Sequence, residues 1–98
     1  MNFKKLSNTN LHEQTKLAAK KEKLATVELL QHLVEVNRRM LYADFGYSSL
    51  AKYVMKELGF SEGESWTRVQ AMKLIDVSDF AKEKIEQGML SLSNAVIL

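Results

Sequence analysis

Neither glycine nor proline interrupts the chain over the thirty-four residues from Thr9 to Tyr42. Nothing in that stretch forces a turn, so one helix can run through all of it. At 1.5 Å per residue it would span about 50 Å, whereas a compact domain of this length is only about 32 Å across. Such a helix protrudes unless something covers it. A bend near residues 20 to 24, giving two packed helices, is the other arrangement compatible with the pattern.

The two halves of this stretch differ. Up to Lys23 its apolar residues are sparse (Leu11, Leu17, Ala18), whereas from Leu24 to Leu41 they fall in two stripes. Val27, Leu30, Val34 and Leu41 form one; Leu29, Leu33, Val36 and Met40 form the other. A helix apolar on two sides is expected to be either the centre of the domain or an element shared in a homodimer.

The whole chain has 98 residues, no proline and only four glycines. That length supports one modest core, and the abundance of Leu, Ala, Lys and Glu favours helix throughout. The expected fold is all-α: a long N-terminal helix, or two packed helices, then a helix-turn-helix and two short helices. Residues 1–44 read as a basic arm with the long helical segment, and 45–98 as the helix-turn-helix region. Cysteine is absent, which removes disulfides and thiolate metal sites and fits a reducing cytoplasm. The opening "MNFKKLSNTN" has no apolar run of a signal peptide, and no later stretch approaches a membrane span.

Charge is uneven although the net value is only +2. Lys4, Lys5, Lys16, Lys20, Lys21 and Lys23 outweigh Glu13 and Glu22 to leave +4 in residues 1 to 25, whereas residues 76 to 98 carry −2. Such a basic arm can follow phosphates, although a solvated helix face is the commoner meaning of a lysine run.

Beyond the interruption "DFGYSS" the signals come quickly. Ser48 can cap a helix burying Leu50, Val54 and Leu58, with Tyr53 beside them, and Gly59 suits the left-handed residue that ends it. Ser61 and Glu64 stand at capping-box spacing, which predicts a helix from Glu62 to about Ile75. On it Ser65, Val69 and Met72 share one face, while Thr67, Arg68, Gln70 and Ala71 are expected broadly opposite. Two helices joined by a short glycine-containing corner are the geometry of a helix-turn-helix. "DVSDFAKEKIEQG" reads as a further helix capped by Ser78 or Asp76, with Phe80, Ala81 and Ile85 buried and Gly88 stopping it. "LSLSNAVIL" is expected to begin one more at Ser91 or Ser93. An ending in Ala95, Val96, Ile97 and Leu98 is more apolar than free termini tend to be, and it is read as belonging to a longer protein.

The run "LLQHLVEVNRRMLYADFGYSSLAKYVMKELGFSEGESWTRVQAMKLI" resembles the helical N-terminal region that precedes the catalytic domain in a family of bacterial HNH endonucleases. Its most specific parts are Arg39-Met40-Leu41-Tyr42, Gly46-Tyr47-Ser48-Ser49-Leu50 and Gly59-Phe60-Ser61-Glu62-Gly63. Residues 50 to 98 also look like the helix-turn-helix of ParB-type partition proteins. There a "G-x-L-S-x-x-x-A" element follows the recognition helix, matched here by Gly88, Leu90, Ser91 and Ala95. These resemblances imply binding of double-stranded DNA through Thr67, Arg68, Gln70, Ala71 and Lys73, with Lys16 and Lys20 of the basic arm on phosphates. A DNA-binding regulator without nuclease activity and a helical dimerisation module are the alternatives. Trp66 is expected to be a partly buried anchor between helices rather than a base-stacking residue.

No catalytic residue, cofactor or metal site is expected in the chain itself. An HNH centre needs a metal-ligating histidine set around a ββα element, and His12 and His32 are twenty residues apart with no strand signal near them. Glu62 with Glu64 and Glu83 with Glu86 are explained by helix starts and solvated faces. With magnesium, manganese or zinc added, the purified chain is accordingly expected to leave supercoiled plasmid intact. Nicking that survives stringent purification and disappears in His12→Ala or His32→Ala would assign those histidines a nuclease role.

Overall fold

The computed structural model describes residues 2–88, and these are all-helical. After a single 3-10 turn at Phe3–Lys5, α1 runs unbroken over Asn8–Arg38, with the Ser7 hydroxyl accepting the Asn10 amide at 3.1 Å as its N-cap. There is no bend at residues 20 to 24. The molecule is consequently elongated, 50 × 29 × 20 Å with a radius of gyration of 16.0 Å, against about 13 Å for a compact chain of this size.

The helix does not continue to Tyr42. Met40 adopts a left-handed conformation, φ +53°, between α1 and the single turn α2 at Leu41–Asp44. This conformation costs a non-glycine residue about 1–2 kcal/mol. It turns the chain so that Leu41 is half-buried and Tyr42 packs against the core, which offsets the cost, while Met40 itself is exposed. At this end of α1, Glu35 accepts hydrogen bonds from both Arg38 and Arg39, the Arg38 Nε at 3.0 Å and the Arg39 Nε at 2.5 Å.

Helix α3 covers Leu50–Lys56, with Ser49 as its N-cap in place of the expected Ser48: the Ser49 hydroxyl accepts the Lys52 amide at 3.2 Å. Leu50 and Val54 are buried, but α3 stops before Leu58, which is exposed because the helical spacing that would align it with Val54 has ended. Tyr47 donates its hydroxyl to Glu57 at 2.6 Å, and its ring meets Tyr53 edge-on, tying the loop before α3 to the end of that helix. Gly59, at φ +80°, makes the corner that a side chain would oppose.

Helix α4 begins at Glu62, as the capping box predicts, and runs to Val77. The Ser61 hydroxyl accepts the Glu64 amide at 3.1 Å, and the Glu64 carboxylate accepts the Ser61 amide at 3.0 Å. Ser78 then caps α5, Asp79–Glu86, whose stop is followed by Gly88 at φ +75°. On α5, Ala81 and Ile85 are buried one turn apart, whereas Phe80 is exposed under the Lys84 ammonium, 5.0 Å from its ring centre. Phe80 stands about 100° round the helix from Ala81, which removes it from the core. The expected helix at Ser91 or Ser93, and the match at Leu90, Ser91 and Ala95, lie outside the described residues.

One core joins both parts of the chain. Val27, Leu30 and Leu33 of α1 are buried with Leu50 and Val54 of α3, Val69, Ala71, Met72 and Ile75 of α4, and Ile85 of α5. Leu29, Val34 and Val36 are half-buried around it, so the two apolar stripes of α1 merge into one buried face with flanks. Residues 8 to 25 of α1 are exposed and project beyond this core.

The two arginines hold the Glu35 carboxyl well below the usual carboxylate range, at about 2 against 4.5, chiefly through the Arg38 hydrogen bonds and then the one from Arg39. A lowered native pKa means that the stabilising contribution is complete above about 4.5 and is lost as pH falls through about 2. A carbon-detected NMR titration should place the Glu35 midpoint near 2. In Glu35→Gln that acid-sensitive contribution should be gone; a midpoint in Glu35 at the ordinary carboxylate value would mean that the arginines do not hold it in solution.

Candidate nucleic-acid interface

The face that α4 offers to solvent follows from what it buries. Ser65, Val69 and Met72 are buried as expected, but so are Ala71, fully, and Ile75. At about 100° per residue these two additions turn the centre of the buried face by roughly 40°. Ala71, expected outward, is therefore a core residue and cannot touch DNA.

Arg68, expected on the outer face, stands only about 40° round the helix from buried Met72 and so flanks the core. It is half-buried, its guanidinium 4.3 Å from the centre of the Phe60 ring and its Nη1 donating to the Glu64 carbonyl at 3.2 Å. The arginine thus packs the corner instead of standing on the outer surface. Glu64 is likewise engaged: the Ser61 amide, then the Ser61 hydroxyl, hold its carboxyl below the usual range.

Trp66 moves the other way. Expected as a partly buried anchor, it is 57 % exposed, because the buried face has turned away from it. On its side of α4 lie Gln70, half-buried, and Lys73, exposed, with Thr67 half-buried further round. Trp66 separates two open grooves. One, of about 300 Å³, is bordered by Gln70 and Lys73 together with Asn37 at the end of α1, Tyr42 and Ser48. The other, of about 350 Å³, is formed by Ser49, Ala51, Lys52, Met55, Glu62 and Ser65.

Sequence reasoning does not single out Asn37, Lys52 or Trp66 as contacts on this face. Asn37 and Lys52 carry no local signal, since their place depends on how α1 and α3 cross α4. Trp66 emerges only once Ala71 and Ile75 are included in the buried face.

Lys16 and Lys20 are exposed but lie elsewhere. With Glu13, Leu17, Lys23, Glu86 and Gln87 they border a shallow concavity between the projecting half of α1 and the end of α5. Lys20 is about 26 Å along the helix axis from Asn37, and Lys16 about 32 Å. The arm and the α4 face are therefore separate charge centres. His12 and His32 are both exposed, the latter donating from Nδ1 to the Glu28 carbonyl at 2.7 Å. Among the described residues no three metal-ligating side chains converge, and no helix is long and apolar enough to cross a membrane.

Comparison of the chain with protein-family models, with curated proteins and with solved structures finds no match.

Because Arg68 packs on Phe60, Arg68→Ala is expected to lower stability by about 0.5–1 kcal/mol by removing the cation–π interaction. The rank order of duplex sequences bound should not change. Urea denaturation and anisotropy with a panel of labelled duplexes would check both; a switched sequence preference at unaltered stability would return Arg68 to the DNA-reading face.

Proposed function

We propose that the chain is a DNA-binding helix-turn-helix module that delivers an HNH-type endonuclease to duplex DNA. The observation that carries this reading is the α3–Gly59–α4 corner with Gln70 and Lys73 on the open side of α4. A glutamine amide can both donate to and accept from adenine in the major groove, and a lysine supplies charge to phosphate without base discrimination. Thr67, half-buried, assists from the flank, and Asn37 offers a second amide across the groove. Lys16 and Lys20 act on phosphates about one helical turn of DNA away, a separation compatible with the roughly 34 Å repeat of the duplex.

A homodimer belongs to the same reading and is supported by the projecting half of α1. Residues 8 to 25 expose Leu11, Leu17 and Leu24, and helices in proteins draw most of their stability from packing an apolar face rather than from propensity. Pairing of two copies along it would cover those leucines and set two α4 helices at a fixed separation, as paired half-sites require.

Anisotropy of labelled duplexes over a salt series tests the proposal. Gln70→Ala should cost about 1–3 kcal/mol on preferred sequences and relax the preference. Lys73→Ala, and Lys16→Ala with Lys20→Ala, should weaken all duplexes alike and reduce the salt slope by about 1 for each phosphate no longer neutralised. Duplex affinity untouched by all of these would leave the corner as packing alone. Light scattering on a sizing column should give twice the monomer mass, and a monomer at concentrations on the order of tens of micromolar would remove the dimer.

A further inference from the structure

The groove on the α3 side of Trp66 has a feature that duplex binding by Gln70 and Lys73 does not use. Its floor includes Ser65, 2 % exposed, whose hydroxyl has no hydrogen-bond partner. A buried hydroxyl left without a partner is costly and asks for a reason. Around it the walls are apolar, made by Ala51, Met55 and the Trp66 ring, while Lys52 and Glu62 stand at the rim with opposite charges.

An apolar side chain filling this space would leave the Ser65 hydroxyl unsatisfied. A flat ring with polar edges would not. Its face can stack on the Trp66 indole, its edge can pair with the serine hydroxyl once that buried rotor turns toward the groove, and an exocyclic amino group can donate to the Glu62 carboxylate, as cytosine does to acidic side chains. Lys52 then supplies the cation for the phosphate of the same nucleotide. On the other side of the indole, the Lys73 ammonium offers a second cation to the phosphate of the neighbouring nucleotide. An exposed aromatic between flanking cations is the arrangement used to bind unpaired strands.

We infer that Trp66 is a stacking platform for single-stranded DNA and that the Ser65 groove receives one unpaired base, with cytosine or adenine preferred over thymine. This site stands whether or not α4 reads duplex DNA, since Ser65, Lys52 and Glu62 border the groove away from Gln70.

Trp66 is the only tryptophan in the chain, so its emission reports on this site alone. Homo-oligomers of cytosine, adenine and thymine, about twelve nucleotides long to cover one binding site, should quench it saturably, thymine at the highest concentration. In Trp66→Leu, an exposed position, anisotropy of the labelled cytosine oligomer should show affinity about 5- to 150-fold weaker. Lys52→Ala should reduce the single-strand salt slope by about 0.7.

Ser65→Ala separates binding from folding. Removing an unsatisfied hydroxyl should raise the melting temperature while weakening the cytosine oligomer about 2- to 10-fold. Quenching by duplex alone, or unaltered single-strand affinity in Trp66→Leu, would overturn the inference. So would saturable quenching by N-acetyl-leucinamide with no response to oligonucleotides, which would make the groove a socket for an apolar side chain of a protein partner. Gln70→Ala should leave single-strand binding to the Ser65 groove intact, so failure of duplex reading and failure of this site are separately visible.

Discussion

The rotational setting of α4 in the core governs the surface this chain presents. Five side chains, Ser65, Val69, Ala71, Met72 and Ile75, are buried along it, and a helix held by so many positions cannot turn without exposing some of them. Fixing that face simultaneously sends Trp66 into solvent and folds Arg68 onto Phe60. Trp66 and Arg68, two residues apart, are thus given opposite surroundings by one buried face. Apolar burial decides between them because it is worth more than the exposed position of any single polar group.

Local pairing also determines which charges remain outward. Glu35 takes both Arg38 and Arg39, and Glu64 is drawn into the capping box, so these groups meet much of their electrostatic need within the molecule. Lys52 and Lys73 stand exposed beside Trp66, while Lys16 and Lys20 stand on the projecting half of α1. Lysine is a compact, strongly hydrated charge on a long stem. A surface furnished this way presents hydrated cations on flexible stems at two separate places, beside the indole and along the projecting half of α1.

The length of α1 has a second consequence. Its C-terminal half contributes Val27, Leu30 and Leu33 to the core, while residues 8 to 25 extend past it with three exposed leucines. One continuous helix therefore joins a packed domain to a projecting half that faces the end of α5 across a shallow concavity, and α5 comes close at Lys23. At that point Gly88 sits so close that a Cβ there would meet the Lys23 ammonium at 2.7 Å. The projecting half brings both its lysines and its leucines to whatever lies alongside it.

Sequence alone determined the features set by neighbours a few residues apart. The all-helical class, the capping box at Ser61 and Glu64 and the left-handed Gly59 depend on backbone propensity and hydrogen bonds within one turn and were legible, as was the α5 cap to within the choice of Ser78 or Asp76, which the structure resolves to Ser78. Only tertiary structure decided the rest. The unbent course of α1 through residues 20 to 24, the left-handed Met40 that follows it, the exposure of Phe80 and Leu58, the burial of Ala71 and the opposite fates of Trp66 and Arg68 depend on which helix packs where. Alanine is the clearest case: its small apolar side chain suits either a helix surface or the core, so its own chemistry could not say that it would close the α4 face. The Ser65 hydroxyl is hidden from sequence for the same reason, because a serine within helical spacing is ordinary until the surrounding helices remove its water and offer no partner in return.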